Sequence, residues 1–219
     1  MITDLHIYGI EPSARALAKA LNCNYGLRNI SRKTLLIVNW GRSDLIEFHR
    51  GSYAGEILNE KIILDKLKQH SLFEKAGISV PKVIALEGQI LRTKEHRGGR
   101  DIKFLDKHYV MEWIEKEREY RVHVFGGKVI RVARKVPHGE AKIWNNENAH
   151  FKYELKTLPI GLKTLAVRAV EALGYDFGAV DIIMDKNKKL YVLEVNSAPG
   201  LDNPRTLEAY VNAIRNYTV

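Results

Sequence analysis

The sequence predicts an α/β fold of mixed α+β build, and three observations predict it. Near the N-terminus, continuous apolar runs of strand length alternate with an amphipathic helical stretch, the pattern of strands joined by a crossover helix. Between residues 89 and 136 the pattern changes to short strands separated by glycine-bearing turns, which marks antiparallel pairing. Near the C-terminus, two apolar strands separated by the short polar stretch 186–189 lie between two helical segments.

Taken in order, LHIYGI reads as a strand, PSARALAKAL as a helix with Pro12 in its first turn, and TLLIVNW as a second buried strand. Residues 56–76 carry Ile57, Leu58, Ile62, Ile63 and Leu67 at helical spacing and stop at Gly77, so a single helix is expected there. ISVPKVIAL returns to strand. The β-rich segment follows: QILRT, a turn at HRGGRD, YVMEWI, then EYRVHVF and KVIRVARKV joined through Gly126-Gly127, a hairpin signal. Residues 137–153 show no sustained period and read as a mobile loop. A helix, LKTLAVRAVEAL, ends at Gly174, two strands follow, and a last helix starts near Pro204. The expected division is 1–88, an N-terminal α/β lobe with a linker helix, 89–136, a small antiparallel lobe, and 137–219, a C-terminal lobe.

With 219 residues and 45% hydrophobic content the chain can bury a real core. Its formal charge of +9, from 35 Lys+Arg against 26 Asp+Glu, favours polyanionic partners. The basic residues are spread along the chain with acidic ones between them, so nucleic acid is not expected as the primary partner. The single cysteine, Cys23, excludes an internal disulfide and a four-cysteine zinc site and suits a reducing compartment. No apolar run is long enough to span a bilayer, and MITDLHIYGI lacks the basic start of a secretion signal, so a cytoplasmic protein without membrane contact is expected. If the chain associates, a homodimer is the expected form.

The chemistry concentrates in FGAVDIIMD and KLYVLEVN. With a two-residue turn at Asn187-Lys188, antiparallel register sets Asp181 opposite Glu194 and leaves Asn196 two positions further on the same face. A solvated sheet face is the ordinary place for such carboxylates. Here Val180, Ile182, Ile183, Val192, Leu193 and Val195 are apolar on both faces, and unpaired charge in a buried sheet is expensive. Two opposed carboxylates and an amide oxygen suit Mg²⁺.

The stretch DFGAVDIIMDKNKKLYVLEVNSAPGLD resembles the metal-binding segment of the ATP-grasp superfamily, nearest its RimK-like branch of ribosomal-protein glutamate ligases. The likeness extends more loosely over 56–136, while the first 55 residues match only as a shortened N-terminal lobe. The resemblance implies an ATP-grasp fold, with one or two Mg²⁺ ions (Mn²⁺ as a substitute) held by Asp181, Glu194 and Asn196. It also implies a turn at Ser197-Ala198-Pro199-Gly200 beside the substrate. It implies nucleotide contacts at Lys61, at Arg92 (where many members carry lysine, with Lys94 nearby), at Gly98 and Gly99 of a flap, at Glu112, Trp113 and Ile114 beside the adenine, and at Glu119 near the ribose. Arginine and lysine are not interchangeable at phosphate, so Arg92 is a departure from the pattern. Arg121, Arg134 and Lys135 would neutralise charge during reaction, and His138, Asn145, Asn146, Asn148 and His150 could meet substrate. Adjacent glycines are ordinarily just a turn, and a polar loop is ordinarily only solvated.

The implied activity is an ATP-dependent carboxylate–amine ligase that passes through an acyl phosphate. Its implied partners are ATP, a carboxylate and an amine borne by an amino acid, a peptide or a protein terminus. A kinase acting on a hydroxyl and a non-catalytic nucleotide-binding module are the alternatives on the same fold.

Overall fold

The computed structural model describes residues 4–28, 30–44, 55–85, 90–92, 102–104, 109–140, 144, 149–153, 155 and 157–217. The N-terminal strands β1 (Leu5–Tyr8), β2 (Asn24–Tyr25), β3 (Leu36–Asn39) and β4 (Glu56–Leu58) form a parallel sheet in the order β2-β1-β3-β4. Every residue of β1 and β3 is buried, as expected of parallel strands covered on both faces. Helix α1 (Pro12–Leu21) opens on Pro12, whose missing N–H costs nothing there, and ends at Asn22 in the left-handed region.

The second sheet is built from β9 (Lys116–Phe125), β10 (Lys128–Pro137), β11 (Ala149–Lys152), β12 (Phe177–Asp185) and β13 (Leu190–Asn196). It is antiparallel throughout, in the order β11-β10-β9-β12-β13. Residues Tyr120, Val122, Val180, Ile182 and Val192 point to one face and form a core with Phe73 of α2 (Lys66–Lys75) and Leu162, Ala166 and Val170 of α3 (Leu162–Ala172). At the other end, α4 (Pro204–Arg215) contributes Tyr210 and Ile214 to a second core shared with Ile7, Leu17, Val38 and Trp40 of the N-terminal lobe. Trp40 stacks on Phe177 at 5.3 Å, meets Tyr210 edge-on at 5.4 Å, and donates its ring N–H to Ser13 Oγ at 3.0 Å. The lobes are thus locked by one aromatic cluster. Two short antiparallel pairs complete the description: β5 (Val83–Ala85) with β8 (Val110–Met111), and β6 (Ile90–Arg92) with β7 (Ile102–Phe104). No helix among the described residues is long and apolar enough to cross a membrane.

Three local expectations differ from the structure. Residues 56–76 do not form one helix: 56–58 are strand, and the helix starts only at Lys66. Asn59, at φ 54, ends the strand in a turn, and its side chain accepts the backbone N–H of Asp176 at 2.7 Å and donates to the Phe177 carbonyl at 2.9 Å, which anchors the segment outside any helix. Asp65 then caps the helix, accepting the N–H groups of Leu67 at 2.8 Å and Lys68 at 3.1 Å. The strands β9 and β10, grouped by sequence with the small antiparallel lobe, have β11 and β12 as their hydrogen-bonded neighbours. The stretch 137–153, expected as a loop, ends in β11, whose pairing with β10 sets Phe151 opposite Lys135.

His123 lies buried on β9, its Nδ1 3.2 Å from the Tyr210 hydroxyl. Burial, with the nearby positive charge of Arg121 and Arg131, pushes it down to about 3. The folded state therefore refuses a proton that the unfolded chain accepts below its ordinary value, so stability is lost as pH falls from about 6.5 toward 3. At pH 5 the expected loss from this residue is about 2 kcal/mol. Urea melts of the wild-type chain and His123→Asn between pH 7 and 4 check it: the variant should show a flatter slope.

Candidate active site

The five-stranded sheet carries its polar side chains on the face opposite α2 and α3. Backbone register aligns Arg121 of β9, Asp181 of β12 and Glu194 of β13 in one cross-strand row. Arg121 grips Asp181 bidentately, Nε to Oδ1 at 2.7 Å and Nη2 to Oδ2 at 2.8 Å. Burial would lower Arg121, but the hydrogen bonds and charge of Asp181 outweigh it and hold the guanidinium above its ordinary value. Burial likewise raises the Asp181 carboxyl, and Arg121 opposes that rise. Asn196 donates its amide to Glu194 Oε1 at 3.0 Å, which confirms that the two share a face.

The expected register holds, by a route the sequence did not show. The turn is one residue longer than two: Lys188, at φ 66, donates its N–H to the Asp185 carbonyl, and Asp185 N–H reaches the Lys189 carbonyl at 3.0 Å. This alone would slip the pairing by one residue. A bulge at Leu193 adds one back, so Ile182 pairs with Val192 while Asp181 pairs with Glu194. The bulge is held from outside, because the His70 ring Nε2 lies 3.2 Å from the Leu193 carbonyl and the Gln69 amide brackets Val195 at 3.3 and 3.4 Å.

Lys66 completes this cluster, and sequence reasoning missed it. As the first residue of α2, its ammonium sits 2.6 Å from Glu194 Oε2. Burial would raise Glu194, but the hydrogen bond and charge of Lys66, with Asn196 and Arg121, hold it below its ordinary value. Lys61 lies exposed on a bend before the helix. The signal that could have separated the two lysines is Asp65, an N-cap residue directly before Lys66.

Two residues along the same face, Glu119 is buried between two ammonium groups, Lys116 at 2.6 Å and Lys135 at 3.1 Å. One lysine thus holds each of its carboxylate oxygens. Phe151 of β11 lies under Arg121, with the guanidinium 4.9 Å from its ring, and 5.9 Å from the Lys135 ammonium. Arg134, adjacent to Lys135 in β10, pairs with Tyr120 of the helix-covered core and so stands on the opposite face; the structure does not bring this basic pair together. Trp113 and Glu112 are exposed and Ile114 half-buried in the segment linking β8 to β9. The Glu112 N–H donates to the Lys82 carbonyl at 2.8 Å, tying this segment to the chain before β5. The backbone of Arg92 lies in β6 opposite Ile102. Gly98, Gly99, Lys94, Asn145, Asn146 and Asn148 lie outside the described residues. The rings of His138 and His150 face each other at 4.9 Å.

The turn after β13 meets the N-terminal lobe. A Cβ on Gly41 would fall 2.6 Å from Ala198 Cβ, and Gly41 has φ 80, so only glycine fits. The carboxyl end of β3 is thereby held beside 197–200, where open parallel sheets present ligands. The donor set of Asp181, Glu194 and Asn196 is all oxygen, two carboxylates and an amide, and fits a hard cation such as Mg²⁺.

Comparison with known proteins identifies the fold and the family. A probable alpha-L-glutamate ligase of Haemophilus influenzae is 30% identical over 172 residues, 63% of this chain and 56% of that protein. A D-alanine--D-alanine ligase of Paraburkholderia phytofirmans is 26% identical over 206 residues, 71% of this chain and 64% of that protein. The chain therefore spans less than two thirds of the length of these relatives. The ATP-grasp ligase PsnB, solved with its minimal precursor, Mg and ADP, superposes with a TM-score of 0.64 at 14% identity, covering 98% of this chain and 97% of that one. The D-alanine--D-alanine ligase of Bacillus anthracis complexed with ATP gives 0.65 at 15%, covering 97% and 94%. These likenesses show the ATP-grasp fold. The RimK-like ATP-grasp domain matches residues 71–213, which hold the second half of α2, all of α3, the whole five-stranded sheet and most of α4, and the chain belongs to that family.

Proposed function

We propose that the chain is an ATP-dependent carboxylate–amine ligase that forms an amide or peptide bond and releases ADP and phosphate. The observation that carries the proposal is the row Arg121–Asp181–Glu194, closed at one end by Lys66 and flanked by Asn196. It sets anionic ligands for a cation beside cations for phosphate on one sheet face. The RimK-like family and the glutamate ligase and D-alanine--D-alanine ligase relatives support the same reading.

In this proposal ATP lies between the sheet and the short strand pairs of 83–111, its adenine edge on the backbone of Trp113 and Ile114. Asp181, Glu194 and Asn196 would hold one or two Mg²⁺ ions, with Mn²⁺ as a substitute, and bound Mg²⁺ would neutralise phosphate charge. Lys66 and Lys135 orient the phosphates, and Arg121 faces the transferred group. Phosphoryl transfer needs positioning and charge neutralisation more than covalent help, and no side-chain nucleophile is required. The substrate carboxylate oxygen attacks the γ-phosphorus, the bond to the β-phosphate oxygen breaks, and ADP leaves. An amine nitrogen then attacks the acyl carbon, gives up a proton and expels inorganic phosphate. The carboxylate and the amine would be borne by an amino acid, a peptide or a protein terminus, and the reaction would take place in the cytoplasm.

Hydroxylamine tests the intermediate. In place of the amine it should convert the acyl phosphate to a stable hydroxamate, made only with ATP, Mg²⁺ and the carboxylate together. A phosphorylated hydroxyl product with no hydroxamate would instead identify a kinase. Lysine roles are tested apart: Lys66→Ala should raise the KM for ATP about tenfold or more and move the acid limb of kcat/KM upward, because Glu194 loses the charge that keeps it low. Lys61→Ala, on the exposed bend, should leave both near wild type.

A further inference from the structure

We propose that the groove between β10 and α4 is a second binding site, separate from the reaction centre, for an acidic polypeptide segment. The groove has a volume of about 500 Å³ and is lined by Arg131 and Ile130 on one side and by Arg205, Glu208, Asn212 and Asn216 on the other.

Its origin is a bulge. The register of β10 against β9 shifts between Val129 and Arg131, so Ile130 is the extra residue. Successive side chains of a regular strand alternate faces, but a bulge re-aims one of them. Ile130 accordingly packs into the core that holds Tyr210 and Ile214 of α4, and Arg131 stands beside it on the same flank. The guanidinium carbon of Arg131 lies 4.8 Å from the centre of the Tyr153 ring, which supports it from below. Arg131 and Arg205 both line the groove, and a carboxylate is the acceptor that suits a guanidinium best. The positive field reaches inward as well, since Arg131 contributes to the depression of His123.

The shape favours a chain over a small molecule. The lining positions run from Arg205 to Asn216 along α4, about 16 Å at a helical rise of 1.5 Å per residue, which matches about five residues of extended peptide. Asn212 and Asn216 are exposed amides that can pair with a peptide backbone. The overall charge of +9 favours an acidic partner at long range. Glu208 is the one repulsive group in the wall. The groove lies on the flank of the sheet face that carries Asp181, since Arg131 pairs with His123 and His123 with Ala179 of β12. A segment held there would place the rest of its chain along the reacting face, and only this last point rests on the ligase reading.

The test needs no nucleotide. Fluorescein-labelled hexaglutamate is titrated at low ionic strength and followed by anisotropy, with hexaglutamine as the neutral probe. Arg131→Gln and Arg205→Gln should each weaken hexaglutamate binding about tenfold, Glu208→Gln should tighten it, and Glu194→Ala should bind like wild type. Lys163→Gln, which removes the same charge from an exposed position on α3, should change little. Arg205 is exposed, so its variant keeps the test valid if Arg131→Gln melts early. The proposal falls if Arg131→Gln and Arg205→Gln behave like Lys163→Gln, or if hexaglutamine binds as well. It also falls if free glutamate competes on equal terms, or if a single-stranded oligonucleotide binds more tightly with the same Arg131 dependence. Binding through Arg131 with no ADP ever formed would leave the groove standing and remove the ligase reading.

Discussion

Glu194→Ala is expected to abolish turnover, by about 10³-fold or more, while the chain stays folded. Glu194 sits at the end of the cross-strand row, 31% of its side chain is exposed, and Lys66 and Asn196 each hold one of its oxygens. Its removal creates no large cavity, so the thermal midpoint should move little. The measured losses should be Mn²⁺ binding, read by electron paramagnetic resonance without substrate, and ADP formation. Glu194→Gln keeps the shape and removes the charge, and it should fail in the same two assays. Retained Mn²⁺ binding in Glu194→Gln would place the metal elsewhere.

Arg121→Met is expected to do double damage. Asp181 and Arg121 show only 12% and 23% side-chain exposure and share two short hydrogen bonds, so removing the guanidinium strands a buried carboxylate. Breaking such a pair from one side destabilises a fold by about 3–5 kcal/mol. Urea denaturation should show that loss at pH 7 and less of it at lower pH, where the stranded carboxyl takes a proton. Adding Asp181→Leu should recover much of the stability and none of the activity, because the pair is removed while the site stays broken. A double variant as unstable as Arg121→Met would show that packing, and not stranded charge, causes the loss.

The layout of the candidate site was more legible in the sequence than the boundaries of the elements. Asp181, Glu194 and Asn196 announced themselves as polar residues in strands otherwise apolar on both faces, and the sheet brings them together. The register was reached through two unseen features that cancel, a longer turn at 186–188 and a bulge at Leu193. Neither has a local signature, since the bulge is held by His70 and Gln69, more than a hundred residues away. The helix over 56–76 was misread because Ile57, Leu58, Ile62 and Ile63 mimic helical spacing while packing against the cores from a strand over 56–58 and the irregular chain after it. What anchors that segment is Asn59 bonding to Asp176 and Phe177, again a distant contact. Lys66 was hidden by the same error. Arg134 and Lys135 look like a pair in sequence, yet neighbours on a strand face opposite ways, and only Lys135 shares the face of Glu119 and Arg121.

One measurement tests the central claim most directly: mass spectrometry and nucleotide analysis of the chain incubated with ATP, Mg²⁺, amino acids and short peptides, beside Glu194→Ala. The account predicts ADP, phosphate and a product heavier by one condensed residue, all absent in the variant. ATP bound and returned intact, or ADP formed equally by Glu194→Ala, would contradict it.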